Sequence, residues 1–512
     1  MFIQKDNLIN SSVLNEIKDN LFQGKIGVEK ESLRFNSEGI SKLPHFKIFG
    51  NALCNQYITT DFSDAQLELI TPPLGKFMEV EGFLNNIHSY VVGNIPDEYL
   101  WPFSMPFRYQ SDEEIPIAYY GQSNQAEFKH TYRRGLANRY GRIMQTISGV
   151  HINYSFSSET IGILNQSLGN KEENQLESIV YFRMLRNIHR YGWLIAYLFG
   201  SSPIVSKDFI SDKYEFSKLD QDYFYLPYAT SLRMSDLGYQ NTDQSSIGIS
   251  LDNIDEYSND LKEATKKKSK KFEKIKDHVD GEAQQLNKSY LQIEDEYYSP
   301  ARPKNSDPST LRLSSKLKSL GTNYLELRNF DLNPFSSIGI NKDDLRFVEL
   351  FLIFCSLYKS EAMSPSELKE ARHNELLVST EGRNPDLQLS KNGEPIGISD
   401  WAKKIINEME KIINHSKAEP VAMKNYSDQI SDPTLTRSSK FLRKVLDNKG
   451  NYLELGLKIA KQNKSEFLKT TIEKNPLREI LDDEVQIAKR KEKELSQETI
   501  SFDEYLSNYY SS

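Results

Sequence analysis

Hydrophobic and polar positions alternate with two different periods along this chain, and the two periods predict different elements. Apolar residues spaced by three or four positions predict amphipathic helices over residues 1–24, 77–94, 131–146 and 173–200. Alternating segments broken by Gly, Asn and Pro predict strands over 25–73 and 285–335. From residue 343 onward the pattern is mostly helical and ends in a charged surface helix over 483–499. Strands and helices mix without a regular β-α-β rhythm, so we predict an α+β fold with a mainly antiparallel sheet.

The predicted strands share a polar face. Side chains of a strand alternate between its faces, so polar residues two positions apart point to the same side. The segments with such a face are 25–35, 65–71, 147–156, 291–298 and 323–330. If these strands lie in one sheet, its polar face collects Glu29, Glu31, Asp61, Glu68, His151 and Glu326.

That set of side chains predicts a metal site. Carboxylates so close together repel one another and raise one another's pKa unless cations neutralise them. Oxygen ligands without thiolates suit hard ions such as Mg²⁺ or Mn²⁺. Any one of these carboxylates, taken alone, is typical of an exposed edge-strand charge, so the hypothesis depends on the whole set meeting on one face.

Basic side chains in neighbouring segments extend the candidate site. They are Arg133, Arg134, Arg233, Arg302, Lys304 and Arg328. Arginine binds carboxylate and phosphate groups through two parallel hydrogen bonds, so a site with both metals and arginines suits an anionic phosphate substrate. An arginine considered singly is more typical of a solvated surface. The sequence contains neither of the common glycine-rich phosphate loops, so a nucleotide would be held by metal and side chains.

Composition narrows the class of protein. The chain has 64 Lys and Arg against 72 Asp and Glu, a formal charge of −8, which argues against a general nucleic-acid-binding surface. Its longest apolar runs, 193–200 and 347–358, are shorter than the roughly 18–20 residues of a membrane span. The N-terminus lacks a secretory pattern, and Cys54 and Cys355 cannot build a disulfide framework or a cysteine metal site. We expect a cytoplasmic enzyme without a nucleic-acid or membrane partner.

One low-complexity stretch stands apart from this pattern. Residues 262–276 contain eight lysines and few apolar residues, which is compatible with a patch that attracts phosphates or a membrane surface. The chain as a whole is acidic, however, and no stacking aromatics are interleaved with the lysines. A solvated helix or insertion is therefore the favoured interpretation.

Several long motifs occur in a fixed order along the chain. They are GVEKESLRF (27–35), ITTDFSDAQLELITP (58–72), LWPFSMP (100–106), YGQSN (120–124), TYRRGLANRYG (131–141), MQTISGVHINYSF (144–156), LPYATSLRMSDLGYQN (226–241), LQIEDEYYSPARPK (291–304) and NYLELRNFDLNPFSSIGI (323–340). This series resembles the glutamate–cysteine ligase family of the gamma-proteobacterial type, collinearly from about residue 20 to about 340 and more thinly through the helical C-terminal part.

The resemblance implies a fold and a reaction. The fold is glutamine-synthetase-like, with a curved antiparallel sheet that forms a funnel surrounded by helices, and residues 1–512 form one catalytic body. The reaction joins the γ-carboxylate of L-glutamate to the amine of L-cysteine at the expense of ATP, through γ-glutamyl phosphate, as the first step of glutathione biosynthesis. A monomer that glutathione inhibits is implied as well.

The resemblance also implies roles for individual residues. Its magnesium ligands fall on the six polar-face residues Glu29, Glu31, Asp61, Glu68, His151 and Glu326. Its substrate-binding residues fall on Phe62, Tyr132, Arg133, Arg233, Tyr239 and Tyr298, of which the three tyrosines form the cysteine pocket with Phe62 nearby. Its ATP-binding residues fall on Arg302, Lys304 and Arg328, and its catalytic residues on Arg233 and Arg328. Mg²⁺ is the expected cofactor, with Mn²⁺ as the alternative.

Other hypotheses stay open on the same residues. A related ligase would join glutamate to ammonia or another amine, and a guanidino-phosphotransferase would use the same type of fold without releasing phosphate. A non-enzymatic binding or scaffold protein would use residues 262–276 and would turn over no ATP.

Overall fold

A computed structural model describes most of the chain. The described residues are 18–167, 176–238, 247–309, 311–416, 421–469, 474–497 and 500–511. Most of the helix predicted over 1–24 lies outside these residues, as does Tyr239, and the part over 18–22 forms turns.

The strands are β1 (Lys25–Asn36), β2 (Gly39–Ile40), β3 (Ile58–Thr60), β4 (Gln66–Ile70), β5 (Tyr99–Leu100), β6 (Gly149–Ser155), β7 (Ile204–Ser206), β8 (Ser217–Lys218), β9 (Tyr223–Tyr225), β10 (His278–Val279), β11 (Glu282–Ala283), β12 (Ala301–Lys304), β13 (Tyr324–Asp331), β14 (Gln388–Lys391) and β15 (Glu394–Gly397). The first twelve helices are α1 (His45–Phe49), α2 (Phe77–Asn94), α3 (Asn124–Tyr140), α4 (Arg142–Gln145), α5 (Ser158–Ser167), α6 (Leu176–Tyr191), α7 (Trp193–Phe199), α8 (Ile254–Ala264), α9 (Leu313–Leu320), α10 (Lys342–Leu357), α11 (Pro365–Glu381) and α12 (Ile398–His415). The last five are α13 (Met423–Ser431), α14 (Arg437–Asp447), α15 (Tyr452–Phe467), α16 (Arg478–Leu495) and α17 (Phe502–Ser511).

The central sheet is antiparallel throughout, as predicted. Its strands run in the order β12-β13-β6-β1-β4-β3, and the short strands β2 and β5 also pair with β1. The predicted alternating segments 25–35, 65–71, 147–156 and 323–330 all fall in these strands. The sheet therefore gathers strands that lie up to 300 residues apart along the chain, as the polar-face hypothesis requires.

The two faces of this sheet differ in chemistry. Leu67, Val150, Ile152 and Leu327 are fully buried on one face, and the last three belong to the main hydrophobic core. Helices α6, α7 and α10 pack in that core, because each buries a continuous apolar stripe. The opposite face carries the acidic residues and is called the inner face below.

Two parts of the sequence prediction were wrong. Residues 291–298 are not a strand, since Glu294–Glu296 forms a short 3₁₀ turn. Glu294 points away from the sheet, where it pairs with Arg312 at 2.5 Å and accepts hydrogen bonds from Ser314. Helix α9 likewise interrupts the predicted strands of 285–335. In both cases tertiary contacts override a local alternation.

The lysine-rich residues 262–276 follow the favoured interpretation in part. They begin in α8 and continue through turns in which most lysines are exposed. Phe272 is buried and anchors the stretch edge-on against Tyr140, at 5.8 Å between ring centroids.

Across the described residues, no helix combines the length and the apolar character that a bilayer span requires.

Candidate active site

A cavity of about 270 Å³ opens on the inner face of the sheet. Thirteen sequence-predicted residues line it: Glu29, Glu31, Asp61, Phe62, Glu68, Tyr132, Arg133, His151, Tyr298, Arg302, Lys304, Glu326 and Arg328. The remaining lining residues are Leu136, Tyr140, Met144, Gln145, Asp295 and Glu296. All six predicted metal ligands therefore meet in one place.

Strand register explains why these ligands meet. Glu31 of β1 lies directly opposite Glu68 of β4, and Glu29 lies opposite His151 of β6. Glu326 of β13 lies opposite Asn153, which donates a 2.8 Å hydrogen bond to Glu29. Directly opposed side chains on one face of a sheet are close enough to interact, so the register itself assembles the cluster.

Three of the six predicted metal ligands form the tightest group. Atoms of Glu29, His151 and Glu326 that can bind a metal all lie within 4.8 Å of one another. His151 Nδ1 lies 3.4 Å from Glu29 Oε2 and 3.5 Å from Glu326 Oε1, and its Nε2 lies 3.8 Å from Glu31 Oε1. One imidazole thus stands among three carboxylates, a donor set that suits Mg²⁺ or Mn²⁺.

Cations balance the β13 side of the cluster. Lys304 Nζ lies 3.4 Å from Glu326 Oε2 and 3.1 Å from Asp295 Oδ1. Arg328 pairs with Glu326 across the same strand face. Burial by itself would raise the pKa of Glu326, but Lys304 and Arg328 hold it well below its usual value. Glu326 is therefore ionised and available to a cation at neutral pH.

The pKa of Glu29 is lowered as well, as is that of Glu326. Burial would raise the pKa of Glu29, but the hydrogen bond from His151 and that from Asn153 lower it below the ordinary value. The β13 and β6 side of the cavity therefore presents ionised carboxylates whose charge is already partly compensated.

The β4 side is different, because burial and like charges outweigh the nearby basic groups within the described part of the chain. Burial raises the pKa of Glu68 well above its usual value, and the nearby charges of Glu29, Asp61 and Glu31 raise it further. Burial also raises the pKa of Glu31, an effect that the charges of His151 and Arg233 oppose. A divalent cation would relieve this repulsion, so the electrostatics favour metal at this side.

Aromatic side chains form another part of the wall. Phe62 is buried, and Tyr132 and Tyr298 are half-buried. The hydroxyl of Tyr298 lies 3.6 Å from Met234 Sδ. Burial raises the pKa of both tyrosines, so their hydroxyls stay protonated and can donate. These three predicted residues come together, while Tyr239 lies outside the described residues.

Arg133 and Lys129 occupy successive turns of α3. The Arg133 guanidinium lies 4.6 Å from the ring centre of Tyr120 and donates to the carbonyl of Asp61. Lys129, which the sequence interpretation did not single out, lies 5.7 Å from the same ring. Burial and the charge of Arg133 lower the pKa of Lys129 to about 8, although the acidic groups of Glu68, Asp295 and Asp61 oppose this. Lys129 precedes the helix predicted over 131–146, so the sequence pattern gave no sign that it lies one turn before Arg133.

Arg233 lies beneath the cavity wall rather than in it. Its Nη2 donates to the carbonyl of Arg328 at 3.0 Å, and its Nη1 lies 4.0 Å from Asp331. A Cβ atom on Gly149 would stand 2.1 Å from the guanidinium, so only glycine fits there. The N–H of Gly149 donates to Glu31 at 2.6 Å. Arg233 thus supports Glu31 and the backbone of Arg328 from behind.

Arg302 and Arg134 also have structural partners. Arg302 donates to the carbonyls of Asp295 and Tyr297, at 2.6 and 2.7 Å, and so fixes the turn that presents Asp295. Arg134 pairs with Glu282 of the β10–β11 hairpin.

Asp295 and Glu296 were missed as site residues because their segment was interpreted as a strand with Glu294 and Glu296 on one face. The turn brings neighbouring residues to the cavity instead.

Comparisons with known proteins agree on one family. The family model described as glutamate–cysteine ligase matches residues 11–378. The glutamate–cysteine ligase of Pseudomonas putida is 38% identical over 450 residues, which are 86% of each chain. That of Aliivibrio fischeri is 39% identical over 501 residues, which are 95% of each chain.

Solved structures give the same result for the fold. A glutamate–cysteine ligase from Francisella tularensis, solved in complex with AMP, matches with a TM-score of 0.90 and 34% identity and covers 96% of this chain and 98% of its own. A bifunctional glutathione synthetase from Pasteurella multocida matches with a TM-score of 0.68 and 26% identity over 91% of this chain and 54% of its own. The predicted α+β, glutamine-synthetase-like fold is confirmed.

Proposed function

Because the chain belongs to the glutamate–cysteine ligase family, we propose that the cavity on the inner face of the sheet is where glutamate, cysteine and ATP meet. The chain catalyses the ATP-dependent formation of γ-glutamylcysteine for glutathione biosynthesis. The observation that carries the proposal is the convergence of six metal-ligand side chains from five strands and loops with basic and aromatic side chains in one cavity.

The donor set fits Mg²⁺, with Mn²⁺ as the alternative ion. Glu29, His151 and Glu326 would hold one ion, and Glu31, Asp61 and Glu68 would bind on the β4 side. Glu326 Oε2 is buried and lies 3.4 Å from Lys304 Nζ without a well-formed hydrogen bond, so a cation could compete for this oxygen. When bound, such ions neutralise phosphate oxygens and orient them for transfer.

The chemistry of the reaction assigns work to the protein. One oxygen of the glutamate γ-carboxylate attacks the γ-phosphorus of ATP, the bond to ADP breaks, and γ-glutamyl phosphate forms. The deprotonated amine of cysteine then attacks the carbonyl carbon, and the bond to phosphate breaks as the amide forms. Neither step needs a covalent nucleophile on the enzyme, so the side chains must position the groups and stabilise charge.

The basic residues stabilise the negative charge of the substrates and of the transferring phosphoryl group. Arg328 and Lys304 flank Glu326, so their charges face the side of the cavity where a nucleotide phosphate would meet the metal ligands. We assign these two residues and Arg302 to ATP, and Arg328 also to the transferring phosphoryl group. Arg133 lines the cavity opposite them and is assigned to substrate carboxylate. Arg233 supports the catalytic geometry through Gly149 and the Arg328 carbonyl.

The aromatic side chains of the cavity wall are assigned to the binding of cysteine. Phe62, Tyr132 and Tyr298 would enclose the small thiol side chain. A confined pocket of rings and protonated hydroxyls rejects larger amines by size.

Other parts of the proposal concern the whole protein. We propose that residues 1–512 act as one catalytic body, as a monomer, in the cytoplasm where ATP is made. Glutathione contains both a γ-glutamyl and a cysteinyl group, so it would inhibit by occupying both substrate positions.

A substrate panel tests this function against the alternatives. The purified protein is incubated with Mg-ATP and glutamate, with cysteine, ammonia or no amine, and both phosphate and product mass are measured. We expect phosphate release that depends on cysteine and a product with the mass of γ-glutamylcysteine. Equal turnover with ammonia would indicate a different acceptor, and ATP use without phosphate release would indicate a phosphotransferase.

A further inference from the structure

We propose that the C-terminal helix α17 is a working part of the active site, because Tyr510 positions the segment Gln285–Tyr298 that forms one wall of the cavity. This inference rests on the assignment of Tyr132 and Tyr298 to cysteine made above. It adds a positioning residue that lies more than 200 residues away from that segment along the chain.

The contact is made by a closed group of hydrogen bonds. The Tyr510 hydroxyl donates to the carbonyl of Gln292 at 2.7 Å and accepts from Asn287 Nδ2 at 2.7 Å. Asn287 Nδ2 also donates to the Gln292 carbonyl at 2.9 Å. The Tyr510 carbonyl accepts from Arg312 at 3.2 Å. One hydroxyl therefore joins both ends of the turn at residues 287–292.

Gln292 transmits this contact to the cavity. Its side chain is fully buried, and Nε2 donates to the carbonyl of Tyr132 at 3.1 Å. Its backbone N–H donates to Glu296 Oε2 at 2.6 Å, and the other oxygen of Glu296 accepts from Tyr140 at 3.0 Å. Tyr132, Tyr140 and Glu296 all line the cavity. Two hydrogen bonds thus separate Tyr510 from the proposed cysteine pocket.

The Gln292 side chain is packed closely against α3. A Cβ atom on Gly135 of α3 would stand 2.0 Å from Gln292 Oε1, so the amide packs directly on the helix backbone. Displacement of the Gln292 main chain would therefore move the Tyr132 carbonyl or break its hydrogen bond. A rigid contact of this kind transmits small displacements rather than absorbing them.

The rest of α17 joins the same two walls. The rings of Tyr505 and Tyr509 pack against Phe128 of α3, with centroids 5.9 and 4.6 Å apart. Asn124, at the start of α3, donates to the carbonyl of Ile500 at 2.9 Å. No side chain of α17 is fully buried. The helix adds little to the hydrophobic core, and its contacts fall on α3 and on the 287–312 region beside the cavity.

The test is Tyr510→Phe, which removes one hydroxyl and keeps the ring. We expect the KM for L-cysteine to rise about two- to tenfold, the range that one lost hydrogen bond allows, while kcat and the KM for ATP stay within about twofold. Hydrogen exchange of the amides in residues 287–298 should quicken. A chain that stops after residue 501 should raise the same KM more than tenfold.

Tyr228→Phe is the matched control, because Tyr228 is 46% exposed and distant from the cavity residues in its contacts. It should change neither readout. Unchanged exchange and unchanged cysteine KM in Tyr510→Phe would overturn the positioning role, as would faster exchange with an unchanged KM. If Tyr132→Phe and Tyr298→Phe also leave the cysteine KM unchanged, the fault lies with the proposed cysteine pocket and not with α17 alone.

Discussion

The two faces of the central sheet bury charged groups in opposite ways. On the inner face, Glu326 sits among Lys304, Arg328 and His151, and its pKa is held low. On the outer face, Lys30 of β1 is 3% exposed and donates to Ser32 Oγ at 2.6 Å, and burial lowers its pKa to about 7. The β13 side of the inner face thus keeps Glu326 charged, whereas the outer face drives an isolated group towards neutrality.

Glu349 of α10 repeats the outer-face behaviour. It packs behind β6, where the Tyr154 hydroxyl donates to it at 3.4 Å, and burial raises its pKa to about 8. Both arrangements obey the same rule, since a buried charge is tolerated only with partners. The difference shows that the inner face is organised for ions and anionic substrates, and the outer face for packing.

Removal of an inner-face charge should break catalysis without harming the fold. Glu68→Ala and Arg328→Ala should each lower kcat by on the order of 10²–10³, about 3–4 kcal/mol of barrier, because each removes a group that holds charge during phosphoryl transfer. The free energy of unfolding of Glu68→Ala should be unchanged or higher, since like-charge repulsion is relieved. Steady-state kinetics and urea denaturation measure the two effects. Wild-type turnover by either folded variant would contradict the assigned site.

An adjacent outer-face residue should show the reverse. Leu327 lies between Glu326 and Arg328 in β13 but is fully buried in the core. Leu327→Ala should lower the free energy of unfolding by about 3 kcal/mol through lost burial and a residual cavity. At low temperature, where the variant stays folded, kcat should remain within a few-fold of wild type. A large loss of kcat with normal stability would show that the two faces are not independent.

The sequence could predict this division of faces because it needs only the two-residue period of a strand. Alternation predicts that Glu29, Glu31, Glu68, His151 and Glu326 share one face, and all five line the same cavity. The same rule failed at 291–298, where Leu291 and Ile293 alternate with polar residues but the buried Glu294–Arg312 ion pair imposes a turn. Periodicity reports the exposure of neighbouring positions and carries no information on a distant partner such as Arg312.

The local sequence pattern cannot predict roles that depend on tertiary contacts, for the same reason. Arg233 belongs to a short 3₁₀ turn; its residue type made it one of several candidate cations, but only the family resemblance gave it a role. Its fit against Gly149 is a contact between a turn and a strand that are distant along the chain, which no strand periodicity encodes. Tyr510 lies in a helix without a fully buried side chain, so its pattern gives no sign of its contact with Gln292.

The outer-face acid gives a pH-dependent test of the comparison. An unfolded chain ionises Glu349 near its ordinary pKa of 4.5, but the folded protein keeps the proton until about pH 8. The unfolded state therefore binds fewer protons in this window, and stability should fall as pH rises from about 4.5 to 8. Glu349→Gln, a neutral mimic, should nearly match wild type near pH 5 and exceed its free energy of unfolding by on the order of 4 kcal/mol at pH 8.

Urea denaturation of both proteins at several pH values measures this difference. Glu361→Gln is a suitable control, because Glu361 is exposed and its pair with Lys359 lowers its pKa, so that it is ionised in both states above pH 5. It should give parallel stability curves between pH 5 and pH 8. If Glu349→Gln also runs parallel to wild type, then Glu349 is ionised in the folded protein and the outer face tolerates an isolated charge.

Discrimination between similar amines should be the weakest effect, because it uses the part of the inner face that holds no ions. Phe62, Tyr132 and Tyr298 offer rings and neutral hydroxyls to the side chain of cysteine. A thiol and a methyl group differ little in size, so 2-aminobutyrate should replace cysteine with a loss of about 1 to 2 kcal/mol, roughly tenfold in kcat/KM. Competition assays with product mass measure the ratio. A ratio above a thousandfold would mean that a charged or metal-bound group contacts the thiol directly. The ion-binding part of the inner face would then extend to the cysteine pocket.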